Sequence, residues 1–152
     1  MVAKELPLKR LVMKYHFKAH ISGGECWAEC LELEGCLTQG TDLEELKRNA
    51  ADALNLHLDE PEDSKVIFPM PDVSLSKGKN IFSVEVEPQV AFAVLLRQAR
   101  IARGLTQKVA AKRLGIGSLY NYQRLERRAN PTLNTIKKIK IAFPELPFEY
   151  VL

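Results

Sequence analysis

Apolar and polar residues alternate from Tyr15 onward. Tyr15, Phe17, Ala19 and Ile21 fall on one side of an extended chain, and His16, Lys18 and His20 on the other. A period of two predicts a half-buried strand. Gly23-Gly24 supplies a hairpin turn. A second alternation runs from Glu25 to Leu31, with Cys26, Ala28 and Cys30 on one face and Trp27, Glu29 and Leu31 on the other. Cys36 to Thr38 fits a short third strand at a sheet edge. The period then changes. Thr41, with Glu44 three residues later, reads as a capping box. Leu43, Leu46, Ala50, Ala53, Leu54, His57 and Leu58 form the apolar stripe of the helix it opens, and Pro61 stops it. Residues 62–80 hold Pro69, Pro71 and Gly78 and predict a loop, with a short extended piece at Val66–Phe68. Ile81 to Val86 alternates again and completes the sheet. Residues 1–12, which include Pro7, show little pattern and read as a loose arm.

From Pro88 the pattern is helical throughout. Pro88 suits the first turn of a helix, whose residues Phe92, Leu95, Leu96, Ala99 and Ala102 face a core before Gly104 ends it. Leu105 to Pro131 predicts two short helices joined by a tight turn. Thr106 caps the first, Val109, Ala110 and Leu114 are its apolar stripe, and Ala111 and Gly115 lie four apart, where small residues permit a close helix crossing. Gly115 is placed to end that helix in a left-handed conformation. The second helix buries Tyr122 and Leu125 and turns Tyr120, Asn121, Gln123 and Arg124 outward. This is the outline of a helix-turn-helix whose second helix enters a DNA major groove. The other interpretation of these residues is a small helical bundle without a DNA role. Thr132 then caps a last helix, with Leu133, Ile136, Ile139 and Phe143 inward and Pro144 and Pro147 closing it.

Charge divides the chain at the same place as the pattern. Residues 1–87 carry 10 Lys+Arg against 16 Asp+Glu, net −6, and residues 88–152 carry 12 against 3, net +9. An acidic front and a basic back imply partners of opposite charge. The boundary falls near Glu87, giving domains 1–87 and 88–152. With 46 % apolar and 27 % charged residues the composition is that of a soluble protein. No apolar run approaches the roughly 20 residues of a membrane span, and Met1–Glu5 is too polar for a signal peptide, so a cytoplasmic location is expected. The three cysteines all lie within 26–36, which is no disulfide framework. Cys26 and Cys30 stand in a CxxxC spacing with Cys36 outside any paired motif, so small buried thiols fit better than a zinc site. His57 reads as packed and Trp27 as a core anchor.

Two family resemblances follow from particular residues. Leu105-Thr106-Gln107, the Ala111/Gly115 pair, Arg124-Leu125-Glu126 and Asn130-Pro131-Thr132 resemble the Cro/repressor-like helix-turn-helix family. The span from Gly115 to Glu126 is one residue longer than usual there, and the extra residue is placed in the turn around Gly117. In the front half, Trp27-Ala28-Glu29-Cys30, Glu34 to Thr41 and Leu43-Glu44-Glu45 resemble the HicB antitoxin family. Its form with a DNA-binding tail also resembles Tyr122 to Glu126 and Asn130 to Thr132.

The resemblance implies an α+β fold: a partial ribonuclease-H-like N-terminal domain, strands packed on one helix, followed by an all-α helix-turn-helix domain. It implies an antitoxin of a type II toxin–antitoxin system. Such a protein masks a HicA-like mRNA-cleaving toxin and represses its own operon through operator DNA. A single unit of this size makes too few base contacts, so a homodimer or a dimer of dimers is expected. From the net charge of the back half and the outward positions, Gln107 is expected to contact phosphate, Ser118 to stand at the entrance to the recognition helix, and Tyr120, Asn121, Gln123 and Arg124 to face DNA. Glu29, Glu32, Glu34 and Glu45 are the candidates for a charged rim toward the toxin. No enzyme activity, cofactor or metal is expected. Ribonuclease-H chemistry needs clustered carboxylates around two Mg²⁺ ions, and the first strand offers His16, Lys18 and His20 instead. The alternative is a stand-alone transcription regulator whose front domain senses a small ligand.

Overall fold

In the computed structural model, which describes residues 12–61 and 64–151, one four-stranded antiparallel sheet is joined by five α-helices. The architecture is mixed α+β. The arm expected over residues 1–12 lies outside the described residues except at its last position. Strand β1 (Lys14–Ser22) pairs with β2 (Glu25–Cys30) across the Gly23-Gly24 turn, β3 (Leu37–Gln39) adds to β2, and β4 (Ile81–Glu85) returns to the other side of β1. The spatial order β3-β2-β1-β4 makes the three-residue β3 an edge strand, as its length predicts.

Helix α1 (Leu43–Leu58) covers one sheet face. Its Leu46, Ala50, Leu54 and Leu58 meet Tyr15, Phe17, Ala19, Ala28 and Cys30 in one buried cluster. Burying each large apolar side chain there contributes about 1.5–3 kcal/mol. Cys30 and Cys36 are buried free thiols in that cluster, and His57 packs against Phe68 with ring centroids 5.7 Å apart. The helix begins later than the capping-box pattern predicts. Asp42 is the N-cap, accepting from the Glu45 N–H at 2.8 Å, while the Thr41 hydroxyl donates to the Glu45 carboxylate at 2.6 Å. Leu43 consequently stays exposed. Gly40 explains the loop before it: a Cβ there would stand 2.7 Å from the Leu46 backbone nitrogen.

The opposite sheet face holds two departures from the alternation. Trp27 is half-buried and stacks on His20 at 4.1 Å, outside the core rather than anchoring it. His16 is buried because Glu32 folds back onto it, accepting from the His16 N–H at 2.8 Å and lying 2.9 Å from its Nδ1. The second Glu32 oxygen also accepts from the Asp72 N–H at 3.1 Å, so the long loop is tied to the same point. No strand forms at Val66–Phe68. Phe68 instead donates its N–H to the Gln98 side chain at 2.8 Å, and Tyr15 donates its hydroxyl to the Pro69 carbonyl at 2.7 Å. A 3₁₀ turn at Val73–Lys77, capped by Asp72, was not visible in the periodicity.

Helix α2 (Pro88–Ala102) is shared between two clusters of buried side chains. Val90, Ala91 and Val94 complete the front cluster, and Phe92, Leu95 and Leu96 belong to a second one. That second cluster is filled by α3 (Gln107–Arg113), α4 (Leu119–Leu125) and α5 (Leu133–Ala142), through Ala110, Ala111, Leu114, Tyr122, Ile139 and Phe143. Ala102, Val109 and Leu133, expected inward, are exposed because each sits at the end or rim of its stripe. A closing 3₁₀ turn, Phe148–Tyr150, brings Tyr150 and Val151 against both clusters.

Asn55 ties α1 to the start of α2. It is buried on α1, donates to the Ala51 carbonyl at 2.9 Å, and accepts from the Glu87 N–H at 2.9 Å, just where α2 begins. Asn55→Ala leaves that part-buried N–H without its partner, and losing a hydrogen bond of this kind costs about 0.5–1.5 kcal/mol. Urea denaturation should show a loss of that size; an unchanged midpoint would mean that the Asn55 bond is not needed to hold α1 to α2.

Candidate nucleic-acid interface

Helices α3 and α4 are short, and the turn between them sets their angle. Thr106 caps α3 by accepting from the Val109 N–H at 3.2 Å. At its end the Ile116 N–H reaches the Ala111 carbonyl at 2.9 Å and the Gly115 N–H the Lys112 carbonyl at 3.1 Å, a paired closure that needs the left-handed Gly115 (φ +68°). Ile116 then packs on the second cluster. A Cβ at Gly117 would meet nothing within 4 Å, so the turn leaves open space at that position. Ser118 is the N-cap of α4 and accepts from the Asn121 N–H at 3.3 Å.

The back of α4 is held by a buried polar cluster. Glu126, just past its end, takes a bidentate pair from Arg100 of α2, with Nη2 at 3.0 Å from Oε2 and Nε on Oε1. The Tyr122 hydroxyl donates to Oε1 at 2.7 Å, and the Gln107 side chain donates to Oε2 at 3.0 Å. Gln123 in turn donates to the Gln107 amide oxygen at 3.2 Å. Burial opposes the charge on Arg100, and the Glu126 bonds outweigh it, leaving the guanidinium above the ordinary arginine range. Burial also raises the Tyr122 phenol, with the Glu126 charge adding to the effect.

The expected contact residues therefore divide. Tyr120, Asn121 and Arg124 are exposed on α4, and Ser118 is half-buried at its start. Gln107 and Gln123 are half-buried and bonded to each other, so the outward placement expected for Gln123 is corrected: it faces α3. The Arg124 guanidinium lies 6.0 Å from the Tyr120 ring centroid. Both line an open cleft with Arg127, Arg128, Asp59, Glu60 and Pro61.

The four front glutamates differ in their surroundings. Glu32 has a side chain only 4 % exposed and is bonded inward. Glu29 sits on the open sheet face, 3.1 Å from His20 Nε2. Glu34 is exposed in the turn before β3. Glu45 lines a groove beside Trp27, Thr41 and Asn49, together with Glu25, which the sequence reading passed over. Arg100 has no place in the sequence pattern, and Glu126 enters it only within the Arg124-Leu125-Glu126 match. They stand 26 residues apart, and nothing in a single sequence pairs them. Arg127 and Arg128 continue the visible run Arg124 to Arg128 and were readable as a cation cluster.

No protein-family profile matches the chain, and no curated protein does. Among the described residues, no group of three or more His, Cys, Asp or Glu could hold a metal ion, and no helix is long and apolar enough to cross a membrane.

Removing one partner of a buried pair leaves an uncompensated charge and costs about 3–5 kcal/mol. Arg100→Met and Glu126→Gln should each cost an amount of that order, and the double variant much less than their sum. A double-mutant cycle by denaturant unfolding measures this; simple additivity would refute the coupling.

Proposed function

We propose that the chain reads duplex DNA with α4 and engages a basic protein partner with its acidic front half. This is the arrangement of a HicB-type antitoxin that neutralises a HicA-like ribonuclease and represses its own operon. The observation that carries the DNA part is the outward row Tyr120, Asn121 and Arg124 on a helix whose rear is pinned through Tyr122 and Glu126. A surface held that firmly, in a half of net charge +9, suits both phosphate attraction and base reading. Asn121 has the donor–acceptor pair for an adenine edge, and Arg124 suits guanine or phosphate. The protein acts as a homodimer on paired half-sites about one helical turn apart.

The antitoxin part rests on the resemblance and on the net −6 front half. A sheet in the order β3-β2-β1-β4 under a single helix fits a cut-down ribonuclease-H-like unit. On this reading the unit is not itself a nuclease. Glu29, Glu34 and Glu45 serve as rim charges that speed association with a basic toxin; Glu32 drops out of that set because it is bonded inward.

Anisotropy titration with the duplex upstream of the protein's own gene tests the DNA part. Asn121→Ala should lose about 1–3 kcal/mol for that duplex, and Arg124→Ala, if it binds phosphate, should lower the salt slope by about 0.9. Unaltered sequence preference in Asn121→Ala would place the reading surface elsewhere. For the partner, reversing Glu29, Glu34 and Glu45 together should slow association with the basic product of the neighbouring gene several-fold at low salt. No affinity of the parent protein for that product would leave the ligand-sensing regulator as the reading.

A further inference from the structure

The cleft beside α4 sets carboxylates of the front half against the cations of the reading helix. One wall is Asp59, Glu60 and Pro61 at the C-terminal end of α1, and the other is Tyr120, Arg124, Arg127 and Arg128. The space between them is about 470 Å³. Next to it, Arg128 pairs with Glu87 at 3.1 Å, so a front-half carboxylate already holds one of these guanidinium groups. Asp59 and Glu60 stand at a helix C-terminus, where the backbone dipole disfavours negative charge. Facing cations offset that cost. Arg97 is the inner one. It is buried, donates to the Val66 carbonyl at 3.3 Å and, among the described residues, has no acceptor at Nε. Burial lowers its affinity for the proton, and Glu60 leads the nearby charges that restore it, with Asp59 among them. Arg124, Arg127 and Arg128 are the outer ones.

We propose that Asp59 and Glu60 act as a built-in phosphate mimic, neutralising Arg124 of α4 and Arg127 and Arg128 just beyond its end, and holding down the protein's affinity for DNA. The inference rests on α4 being the DNA-reading helix. A phosphate approaching Arg124 or Arg128 also meets the field of the two carboxylates across the cleft. DNA binding therefore includes the work of separating or screening these charges. A basic partner on the front half relieves the same field, which gives partner and DNA a route of communication through the end of α1.

The test uses the full chain with D59N/E60Q, which keeps side-chain shape, and E25Q/E44Q, which removes the same charge at the far end of the front unit. Binding is measured on the duplex upstream of the gene and on a scrambled duplex. Exposed ion pairs of this kind are each worth a few-fold in an equilibrium constant. D59N/E60Q should therefore bind both duplexes about three- to tenfold more tightly than the parent. The gain should shrink as salt rises, and E25Q/E44Q should stay close to the parent. Equal affinities of D59N/E60Q and E25Q/E44Q would overturn the proposal. Failure of the parent and both variants to bind any duplex would instead remove the DNA reading on which it rests. Melting curves guard against loss of the Arg97 support; where the double variant unfolds early, D59N and E60Q are compared singly by the same criteria.

Discussion

The bidentate contact between Arg100 and Glu126 is the constraint on which the rest of the helical half depends. It joins α2 to the end of α4 in a place where water does not reach, since both residues are buried. A buried ion pair adds little net stability over well-packed apolar residues. Its value lies in direction. The two Glu126 oxygens accept from Arg100 twice, from Tyr122 and from Gln107, so one carboxylate fixes three helices at once. Any slide of α4 along α3 would break several charge-assisted bonds together. The outward row on α4 is therefore presented in one geometry, which is the requirement for reading base edges.

The two halves are mechanically continuous although their charges are opposite. Helix α2 gives Val90, Ala91 and Val94 to one cluster and Phe92, Leu95 and Leu96 to the other. Asn55 ties α1 to the start of α2, and Gln98 ties α2 to the long loop at Phe68. At the far end Arg103 clasps Glu145 at 2.7 Å and the Ala142 carbonyl at 2.7 Å, closing α5 onto α2. The end of α1 and the end of α4 line the same open cleft.

Much of this was legible in the sequence, for physical reasons that differ by element. Alternation at Tyr15, Phe17 and Ala19 marks a face that must be buried, and those residues are buried. Thr106, Gly115, Ser118 and Thr132 mark helix ends because each supplies a backbone need that few residue types meet. What could not be read came from long-range partners. His16 alternates as a surface residue and is buried only because Glu32 returns to it. Gln123 carries no sign that it faces Gln107, and Trp27 has the size of a core residue but stacks on His20 on the outer face. Thr41 was displaced as a cap by Asp42, an acceptor of equal quality one residue later.

The central claim is that α4 faces DNA, and contact from that helix tests it most directly. A photo-cross-linking amino acid in place of Asn121, which is exposed on α4, is compared with one in place of Ile141, exposed on α5. Each protein is irradiated with the duplex upstream of the gene at low salt. Cross-linked DNA from position 121 and none above background from position 141 is the expected result. Equal cross-linking from both positions, or cross-linking from 141 alone, would contradict the account.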